Sequence, residues 1–443
     1  MDQPSNNVQG GGVAARAVAL DLLGAVAKGV TLDEALAGHQ GLKSLESRDR
    51  DFVRMLTATI LRRLGQIDAL IGHFVERPLP TSARKIHDIL RLGICQMMVL
   101  ETAPHAVVDT AVQLAETRGH VRYKGLVNAV LRRISREGAA LFAAQDAARL
   151  NTPDWLWQSW TDAYGAGTCR AIALANLAEA PLDITVKSDA PRWASELDAE
   201  ILPTGALRRK TGGGLVTELP GFAEGAWWVQ DAAAQLPARV LLSGLGADAA
   251  NAAVCDLCAA PGGKTAQLAA AGARVTAIDW AEGRLALIRE NLKRLGLEAK
   301  LIAADVTKWQ PAEAPAAVLL DAPCTATGTI RRHPDIPRAK GPQDVKRLVP
   351  IQDRLLAAAA KMIHKGGILV YSVCSLEPDE GPARIAQLLR SEPGMTRLPV
   401  SMDEIGGMGE LIAGEGDICT LPSQLAGLGG MDGFYIARLG RNG

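Results

Sequence analysis

The stretch VCDLCAAPGGKT, residues 254–265, decides the fold of the second half of the chain. Its apolar start, VCDLC, is typical of a buried strand, and the two glycines that follow allow a tight turn into a helix beginning at Lys264. After Val229 this alternation of strand and helix repeats, with the further strands RVTAID, KLIAAD, AVLLDA and ILVYSV. Five short apolar strands with helical crossovers predict an α/β fold with a doubly wound parallel sheet.

Acidic residues and cysteines stand at or next to the ends of these strands. In doubly wound sheets, ligands bind beyond the carboxyl ends of the strands. The strand ends therefore predict the position of the site.

The loop from Cys258 to Lys264 is suited to a ligand, because glycine backbone allows close approach and a helix N-terminus favours an anionic group. One candidate for this loop is the P-loop of nucleotide hydrolases, G-x-x-x-x-G-K-[ST]. Gly263, Lys264 and Thr265 match that motif, but Cys258 stands where its first glycine should be. The P-loop is therefore the weaker interpretation.

Two aspartates at the next strand ends favour a nucleoside ligand instead. A carboxylate after the second strand, Asp279, can accept hydrogen bonds from both ribose hydroxyls, and Asp305 after the third can accept one from an adenine amino group. Either aspartate alone would be interpreted as a turn or helix cap. Together and in order they predict an adenosine cofactor.

Two thiols follow the last two predicted strands, Cys324 in DAPC and Cys374 in VCS. Thiols at the ends of neighbouring parallel strands indicate covalent chemistry rather than a disulfide. A single cysteine in an apolar setting is more often a small buried side chain, and we keep that interpretation for Cys95, Cys169 and Cys419. Spacing alone does not decide which of the two thiols attacks.

A zinc site is the alternative for Cys255 and Cys258, which form a C-x-x-C pair. A structural zinc would need a second close cysteine pair or a histidine pair, and the sequence has neither. Strand alternation also predicts that the two side chains point to opposite faces. We therefore expect no metal.

Bulk features limit the class of protein. A chain of 443 residues predicts two or three domains. Its 48 Lys and Arg balance its 48 Asp and Glu, so any nucleic acid must bind local patches. Scattered cysteines, no signal-peptide pattern and no long apolar run predict a cytoplasmic, soluble protein in a reducing compartment, without membrane contact.

The pattern along the chain predicts four parts. Residues 1–12 are polar and rich in glycine, so we expect a disordered tail. A helical apolar period over 13–145 predicts an all-α bundle, and mixed signals over 146–228 predict a small α+β connector. The α/β domain follows over 229–443.

Basic residues suggest where RNA would bind. The segment 118–136 has no acidic residue, and its basic side chains form either a phosphate-binding face or an ordinary solvated helix face: Arg118, Arg122, Lys124, Arg132, Arg133 and Arg136. Arg331 and Arg332 follow the Pro-Cys loop, so we expect them at the mouth of the site, where they could bind phosphate.

Three ordered runs carry a family resemblance: DLCAAPGGKT, DAPCTATGTIRRHPDI and YSVCSLEPDEG. They resemble the RNA cytosine-5 methyltransferases, which have a Rossmann-like methyltransferase sheet and use S-adenosyl-L-methionine. The helical region, with RDRDFVRMLTATILRR and APHAVVDTAVQLAETRGHVRYKGLVNAVLRRI, is similar to the NusB-like RNA-binding domain. This pairing implies 16S rRNA of the small subunit as substrate.

The resemblance also implies roles for individual residues. The cofactor's methionine part would lie along the first loop: Cys258, Ala259, Ala260, Pro261, Gly262, Gly263 and Lys264. Asp279 would hold its ribose, Asp305 its adenine, and Asp321 would stand at the site of transfer. Cys374 would be the nucleophile and Cys324 would assist release of product.

This chemistry explains why two thiols and a carboxylate are needed. Carbon 5 of cytosine is a poor nucleophile until a thiolate adds to carbon 6, and a base must later remove the carbon 5 proton. Asp321 would donate to ring nitrogen 3 if it were transiently protonated. A tRNA cytosine-5 methyltransferase and a non-catalytic RNA-binding assembly factor remain the alternatives. We expect the protein to be a monomer.

Overall fold

The computed structural model of the chain describes residues 7–210 and 214–442. Its helices, in chain order, are α1 (Asn7–Val26), α2 (Leu32–Gly38), α3 (Gln40–Lys43), α4 (Ser47–Arg62), α5 (Leu64–Phe74), α6 (Arg84–Met98), α7 (Pro104–Thr117), α8 (Lys124–Ala143), α9 (Ala147–Asn151), α10 (Asp154–Tyr164), α11 (Ala166–Ala175), α12 (Ala190–Glu196), α13 (Leu236–Leu245), α14 (Gly263–Ala270), α15 (Glu282–Leu295), α16 (Ile336–Ala339), α17 (Pro342–Met362) and α18 (Pro382–Ser391). Its strands are β1 (Asp183–Val186), β2 (Ala199–Ile201), β3 (Leu207–Arg209), β4 (Trp227–Val229), β5 (Ala253–Leu257), β6 (Arg274–Asp279), β7 (Lys300–Ala303), β8 (Ala317–Asp321), β9 (Ile368–Val373), β10 (Met395–Arg397), β11 (Ile412–Ala413), β12 (Asp417–Thr420) and β13 (Phe434–Arg441). None of the described helices is both long enough and apolar enough to span a bilayer.

The chain forms two compact units. The first contains residues 1–178 together with 330–341, and the second contains 179–329 together with 342–443. The second unit is therefore interrupted by a short segment that belongs to the first. A stretch of chain can leave its own unit in this way only where another core supplies its contacts, a feature that local periodicity does not predict.

The first unit is helical, as the apolar period predicts. In α6 the residues Ile86, Ile89, Leu90 and Ile94 are fully buried, and this spacing places them on one face of the helix. They join one apolar core to which α1, α4, α5, α7 and α8 also contribute. The helical bundle predicted for this region is confirmed.

The inserted segment 330–341 is held by polar contacts inside the first unit. The backbone N–H of Leu32 donates to Asp335 at 3.2 Å, and the Arg62 guanidinium donates to the carbonyl of Arg331 at 2.9 Å. The Arg331 side chain is only 1% exposed. This burial corrects the expectation that Arg331 contacts RNA, because a phosphate contact needs an accessible guanidinium. Arg332 is half-buried in the same segment.

The second unit is built on a mixed sheet. Its parallel part has the order β7-β6-β5-β8-β9, which confirms the five predicted strands and the Rossmann-like methyltransferase sheet. These strands are mostly covered on both faces, and β9 is buried along its whole length. The antiparallel strands β13, β12 and β11 extend the sheet beyond β9, and β10 pairs with β13. The sequence pattern did not predict this extension.

The predicted connector, 146–228, is divided between the two units. Helices α9 to α11 belong to the first unit, whereas β1 to β4 form a separate antiparallel sheet in the second, in the order β2-β3-β1-β4. A buried ion pair fixes that small sheet, with Arg208 donating to the Asp183 carboxylate at 2.6 and 2.7 Å. The disordered tail predicted for 1–12 needs correction from residue 7 onward, where α1 begins, and residues 1–6 lie outside the described part.

Candidate active site

The candidate active site is a cavity at the carboxyl ends of β5 to β9, inside the second unit. Its volume is about 620 Å³, and its lining includes the strand-end residues Cys258, Asp305, Asp321, Cys324 and Cys374. A larger groove of about 820 Å³ runs along β6, β7 and α15, but none of the predicted cofactor or catalytic residues lines it. We therefore place the chemistry in the smaller cavity, where nucleophiles and carboxylates meet.

The two predicted thiols lie side by side. The Sγ atoms of Cys324 and Cys374 are 3.5 Å apart, because β8 and β9 are adjacent parallel strands and both thiols follow their carboxyl ends. The contact with Cys374 and burial raise the pKa of Cys324 well above its ordinary value. Cys324 is therefore a neutral thiol while it contacts Cys374.

A buried ion pair stands next to the thiols. Lys264 Nζ is 2.7 Å from Asp321 Oδ2, and the Ser372 hydroxyl donates to Asp321 Oδ1 at 2.8 Å. Burial alone would lower the pKa of Lys264, but the Asp321 charge and hydrogen bond outweigh burial and raise it, with a smaller contribution from Cys374. Lys264 therefore stays a protonated ammonium inside the site, paired with Asp321.

The glycine loop has the backbone that the sequence predicts. Cys258 has φ 60°, Gly262 has φ 103°, and α14 begins at Gly263. A Cβ atom added at Gly262 would lie 3.1 Å from Ile288, so a side chain there is disfavoured both by the backbone conformation and by the space. Cys258 and Ala260 line the cavity. The loop therefore brings backbone to the cavity wall.

Asp279 lies directly behind this loop at the end of β6. It is 1% exposed, and its Oδ2 accepts a hydrogen bond from the Ala260 N–H at 3.1 Å. Its Oδ1 is buried without a hydrogen bond in the described structure, although Arg284 Nη1 approaches to 3.5 Å. A buried carboxylate oxygen without a hydrogen bond fits a ligand that brings hydroxyl donors, such as a ribose.

Asp305 differs from Asp279, because it is exposed and already has local partners. Its Oδ1 accepts from the Thr307 N–H at 2.9 Å and from the Thr307 hydroxyl at 2.7 Å, and these bonds lower its pKa. The turn-capping role that the sequence left open is therefore present. Asp305 also lines the cavity, where its Oδ2 lies 3.9 Å from Lys308 Nζ.

The cavity has walls that the motifs did not predict. Trp280, which is 75% exposed, lines it beside Asp305, and Ile351 and Arg354 of α17 line another part. An aromatic residue directly after a strand-end aspartate is a local signal that could have identified Trp280. The α17 residues had no such signal, because only tertiary packing brings that helix to the sheet edge.

Two groups, Asp256 behind the cavity and Cys258 in its lining, have strongly raised pKa values. Burial raises the pKa of Asp256 to about 7 and that of Cys258 to about 12. Cys255 and Cys258 contact the same apolar core, which corrects the expectation of opposite faces, since the positive φ of Cys258 ends the strand alternation. No cluster of three or more metal-binding side chains occurs in the residues described.

The predicted RNA contacts on the helical unit are partly paired. Arg118 donates to Asp21 at 2.6 Å, and Lys124 Nζ is 2.8 Å from Glu116. Arg122, by contrast, is exposed and shows no ion pair with a carboxylate among the residues 7–210 and 214–442 that the structure describes. The segment 118–136 contains no acidic residue, but the neighbouring helices α1 and α7 supply Asp21 and Glu116 as partners.

Comparisons with known proteins agree with these two parts of the chain. The family described as 16S rRNA methyltransferase RsmB/F matches residues 246–440, and the NusB family matches 13–136. Ribosomal RNA small subunit methyltransferase B of Vibrio cholerae is 34% identical, over 93% of this chain and 94% of that protein. The chain belongs to this methyltransferase family. The family resemblance predicted from the three ordered motifs is confirmed.

Solved structures agree with the fold. The crystal structure of PH0851 covers 99% of this chain and 100% of its own, with a TM-score of 0.75 and 22% identity. That of NSun6 from Pyrococcus horikoshii covers 65% of this chain and 98% of its own, with a TM-score of 0.54 and 20% identity. These likenesses support the architecture, while the family rests on the sequence relatives.

Proposed function

We propose that the protein methylates carbon 5 of a cytosine in small-subunit ribosomal RNA, using S-adenosyl-L-methionine and a covalent cysteine adduct. The observation that carries this proposal is the pair of thiols, 3.5 Å apart and beside the Lys264–Asp321 ion pair in one cavity. A protein that only bound RNA would have no use for that arrangement. The relatives named as ribosomal RNA small subunit methyltransferase B support the choice of RNA.

The residues that line the cavity, together with Asp279 directly behind its glycine loop, fit the cofactor. S-adenosylmethionine supplies an electrophilic methyl group when bound. The Asp279 carboxylate would hold its ribose through the oxygen that lacks a hydrogen bond, and Asp305 would accept from its adenine amino group. NSun6, which shares the fold, was crystallised with SFG, an analogue of this cofactor.

Cys374 is the thiol that adds to carbon 6, in agreement with the family assignment. The contact with Cys374, together with burial, raises the pKa of Cys324 and keeps that thiol neutral, which leaves Cys374 as the attacking group. Both oxygens of Asp321 already have partners, so the proton needed at ring nitrogen 3 is one shared between Lys264 and Asp321. Attack by Cys374 then makes carbon 5 nucleophilic.

Cys324 becomes a base at the step that needs one. The largest cause of its raised pKa is the hydrogen bond with Cys374. When the Cys374 sulfur bonds to carbon 6, that hydrogen bond is lost, which removes the largest cause of the raised pKa of Cys324 while burial and the Glu380 charge remain. After Cys324 has lost its own proton to solvent, its thiolate accepts the carbon 5 proton, and the carbon 6–sulfur bond breaks with its electron pair returning to Cys374.

A methyl-transfer assay tests this proposal. The purified protein is incubated with radiolabelled S-adenosylmethionine and with small-subunit rRNA, with tRNA as the matched control, and bisulfite sequencing then locates the modified base. We expect label at carbon 5 of one cytosine in the rRNA. Label in tRNA alone would show that the substrate is tRNA and not rRNA. Cofactor binding without label in either RNA would contradict the enzymatic role.

A further inference from the structure

One buried carboxylate joins the two loops that carry the thiols. Glu380 is fully buried just before α18, and its side chain is surrounded by hydrogen-bond donors. The N–H of Thr325 donates to both of its oxygens, at 3.0 and 3.2 Å, and the Ser375 hydroxyl donates at 2.6 Å. Thr325 directly follows Cys324, and Ser375 directly follows Cys374.

Further contacts make this connection rigid. The Thr325 hydroxyl also donates to Glu380, and Gln352 Nε2 donates to the same carboxylate at 3.0 Å and to the carbonyl of Pro323 at 2.9 Å. The backbone carbonyl of Glu380 accepts from the Tyr371 hydroxyl at 2.6 Å. Because the carboxylate is buried and charged, each of these bonds resists rearrangement more than a bond at the surface would.

We propose that Glu380 is a positioning residue that sets the distance between the two thiols. It does not touch either sulfur, but it binds the residue after each of them, so the loops cannot separate without breaking its hydrogen bonds. The consequence for catalysis rests on the proposed function, whereas the control of thiol separation does not. The Glu380 charge also helps to keep Cys324 neutral, which separates the chemical roles of the two thiols.

A test of thiol separation can be made without any methyl transfer. Phenylarsine oxide condenses with two neighbouring thiols, forming two arsenic–sulfur bonds and releasing one water, and it binds tightly only when both sulfurs can reach one arsenic atom. The full-length protein should bind one equivalent, and Cys324→Ala should abolish that binding. Glu380→Gln, which replaces acceptor oxygen by a donor, should weaken it at least about tenfold.

Matched variants keep the test decisive. Asp379→Asn changes the exposed neighbouring carboxylate and should bind the arsenical as the parent does. Ser375→Ala removes one hydrogen bond to Glu380 and should weaken binding a few-fold, which preserves the test if Glu380→Gln does not fold. Parent-like arsenical affinity in every folded Glu380 and Ser375 variant would overturn the proposal.

A second readout separates positioning from the proposed reaction. In the methyl-transfer assay Glu380→Gln should lower kcat at least about tenfold while KM for RNA stays within twofold, and Glu380→Asp should recover part of kcat. Raised KM with unchanged kcat would contradict positioning of the thiols. If the parent itself transfers no methyl group, the proposed function is wrong. The arsenical assay still tests the role of Glu380, because it needs no methyl transfer.

Discussion

The thiol cavity and the basic face of the helical unit were both predicted from short local patterns, but only at the cavity does the structure bring the predicted side chains together without opposing partners from elsewhere in the chain. At the cavity the pattern was tied to strand ends, and parallel pairing of β8 with β9 turns sequence motifs into neighbours in space. At the basic face the pattern was a run without acids, and packing of α1 and α7 brought Asp21 and Glu116 to it. A motif is informative when backbone topology fixes where its side chains must meet.

The largest expected effect comes from substituting the two thiols of the cavity, and its absence would contradict the chemistry proposed for that region. Cys374→Ala should lower turnover by several orders of magnitude and form no covalent complex, because carbon 5 is never activated. Cys324→Ala should still attack and methylate, but it should remain joined to its RNA because elimination is impaired. A denaturing gel with substrate RNA and S-adenosylmethionine measures this as a slow band that is sensitive to RNase.

A matched control for the thiols is Cys419→Ser, which changes a half-buried cysteine outside the cavity and should keep parent-like turnover. A slow band with Cys374→Ala and none with Cys324→Ala would exchange the two roles. Full activity in both alanine variants, with no adduct, would end the covalent mechanism.

The second prediction concerns Asp256, a carboxyl group buried behind the cavity. The charged groups of the basic face, by contrast, are at least partly exposed. Burial raises the pKa of Asp256 to about 7, so between its unfolded value and pH 7 the folded state binds more protons than the unfolded state. The parent should therefore lose stability as pH rises through this window, by up to about 4 kcal/mol between pH 4 and pH 8. Asp256→Asn should remove that loss, as measured by urea unfolding at both pH values.

The exposed-residue variant Asp379→Asn is the control for that experiment, and it should keep the pH dependence of the parent. If Asp256→Asn shows the same decline in stability between pH 4 and pH 8 as the parent, the decline does not come from Asp256. The pKa of Asp256 would then not be raised in the folded protein.

The sequence predicted those parts of the fold that have a local period. Strands β5 to β9 were recognised because each is a short apolar run between turn signals, and α6 because its apolar residues recur at helical spacing. The antiparallel strand β13 was missed, since Phe434–Arg441 contains Gly and Arg residues and pairs with a strand more than 60 residues earlier. No local pattern reports such a distant partner.

The same limit applies to the site. The strand-end residues Asp279, Cys324 and Cys374 were predicted because their motifs fix their place on the sheet edge. Glu380 lay inside a recognised motif, yet its role was not predicted, because four donors from three different segments meet around it only in the folded state. Arg331 was predicted to lie at the mouth of the site and contact RNA, but its side chain is buried and residues 330–341 belong to the helical unit.

The third prediction sharpens the comparison within the cavity. Asp279→Asn should weaken S-adenosylmethionine binding by roughly 1 to 3 kcal/mol, because the substitution replaces a buried carboxylate whose Oδ1 has no hydrogen bond in the described structure and would accept one from the ribose. Asp305→Asn should cost less, since Asp305 is exposed and already bonds Thr307. Isothermal titration with the cofactor measures both, and equal affinity in the parent and both variants would remove the adenosine site from this cavity.

The smallest expected effect concerns the basic face, where the structure separates two arginines that the sequence could not. Arg122→Ala should weaken RNA binding by about 1 kcal/mol and reduce the log–log salt slope by about 0.9 for duplex or about 0.7 for single-stranded RNA, because an exposed cation leaves a phosphate. Arg118→Ala should instead lower stability, because Arg118 bonds Asp21 within the helical unit, and it should change the salt slope less. Filter binding across a range of salt concentrations, with urea unfolding of the same variants, distinguishes the two. Equal salt slopes in the parent and Arg122→Ala would mean that this face is an ordinary solvated helix surface, and that RNA is bound elsewhere on the protein.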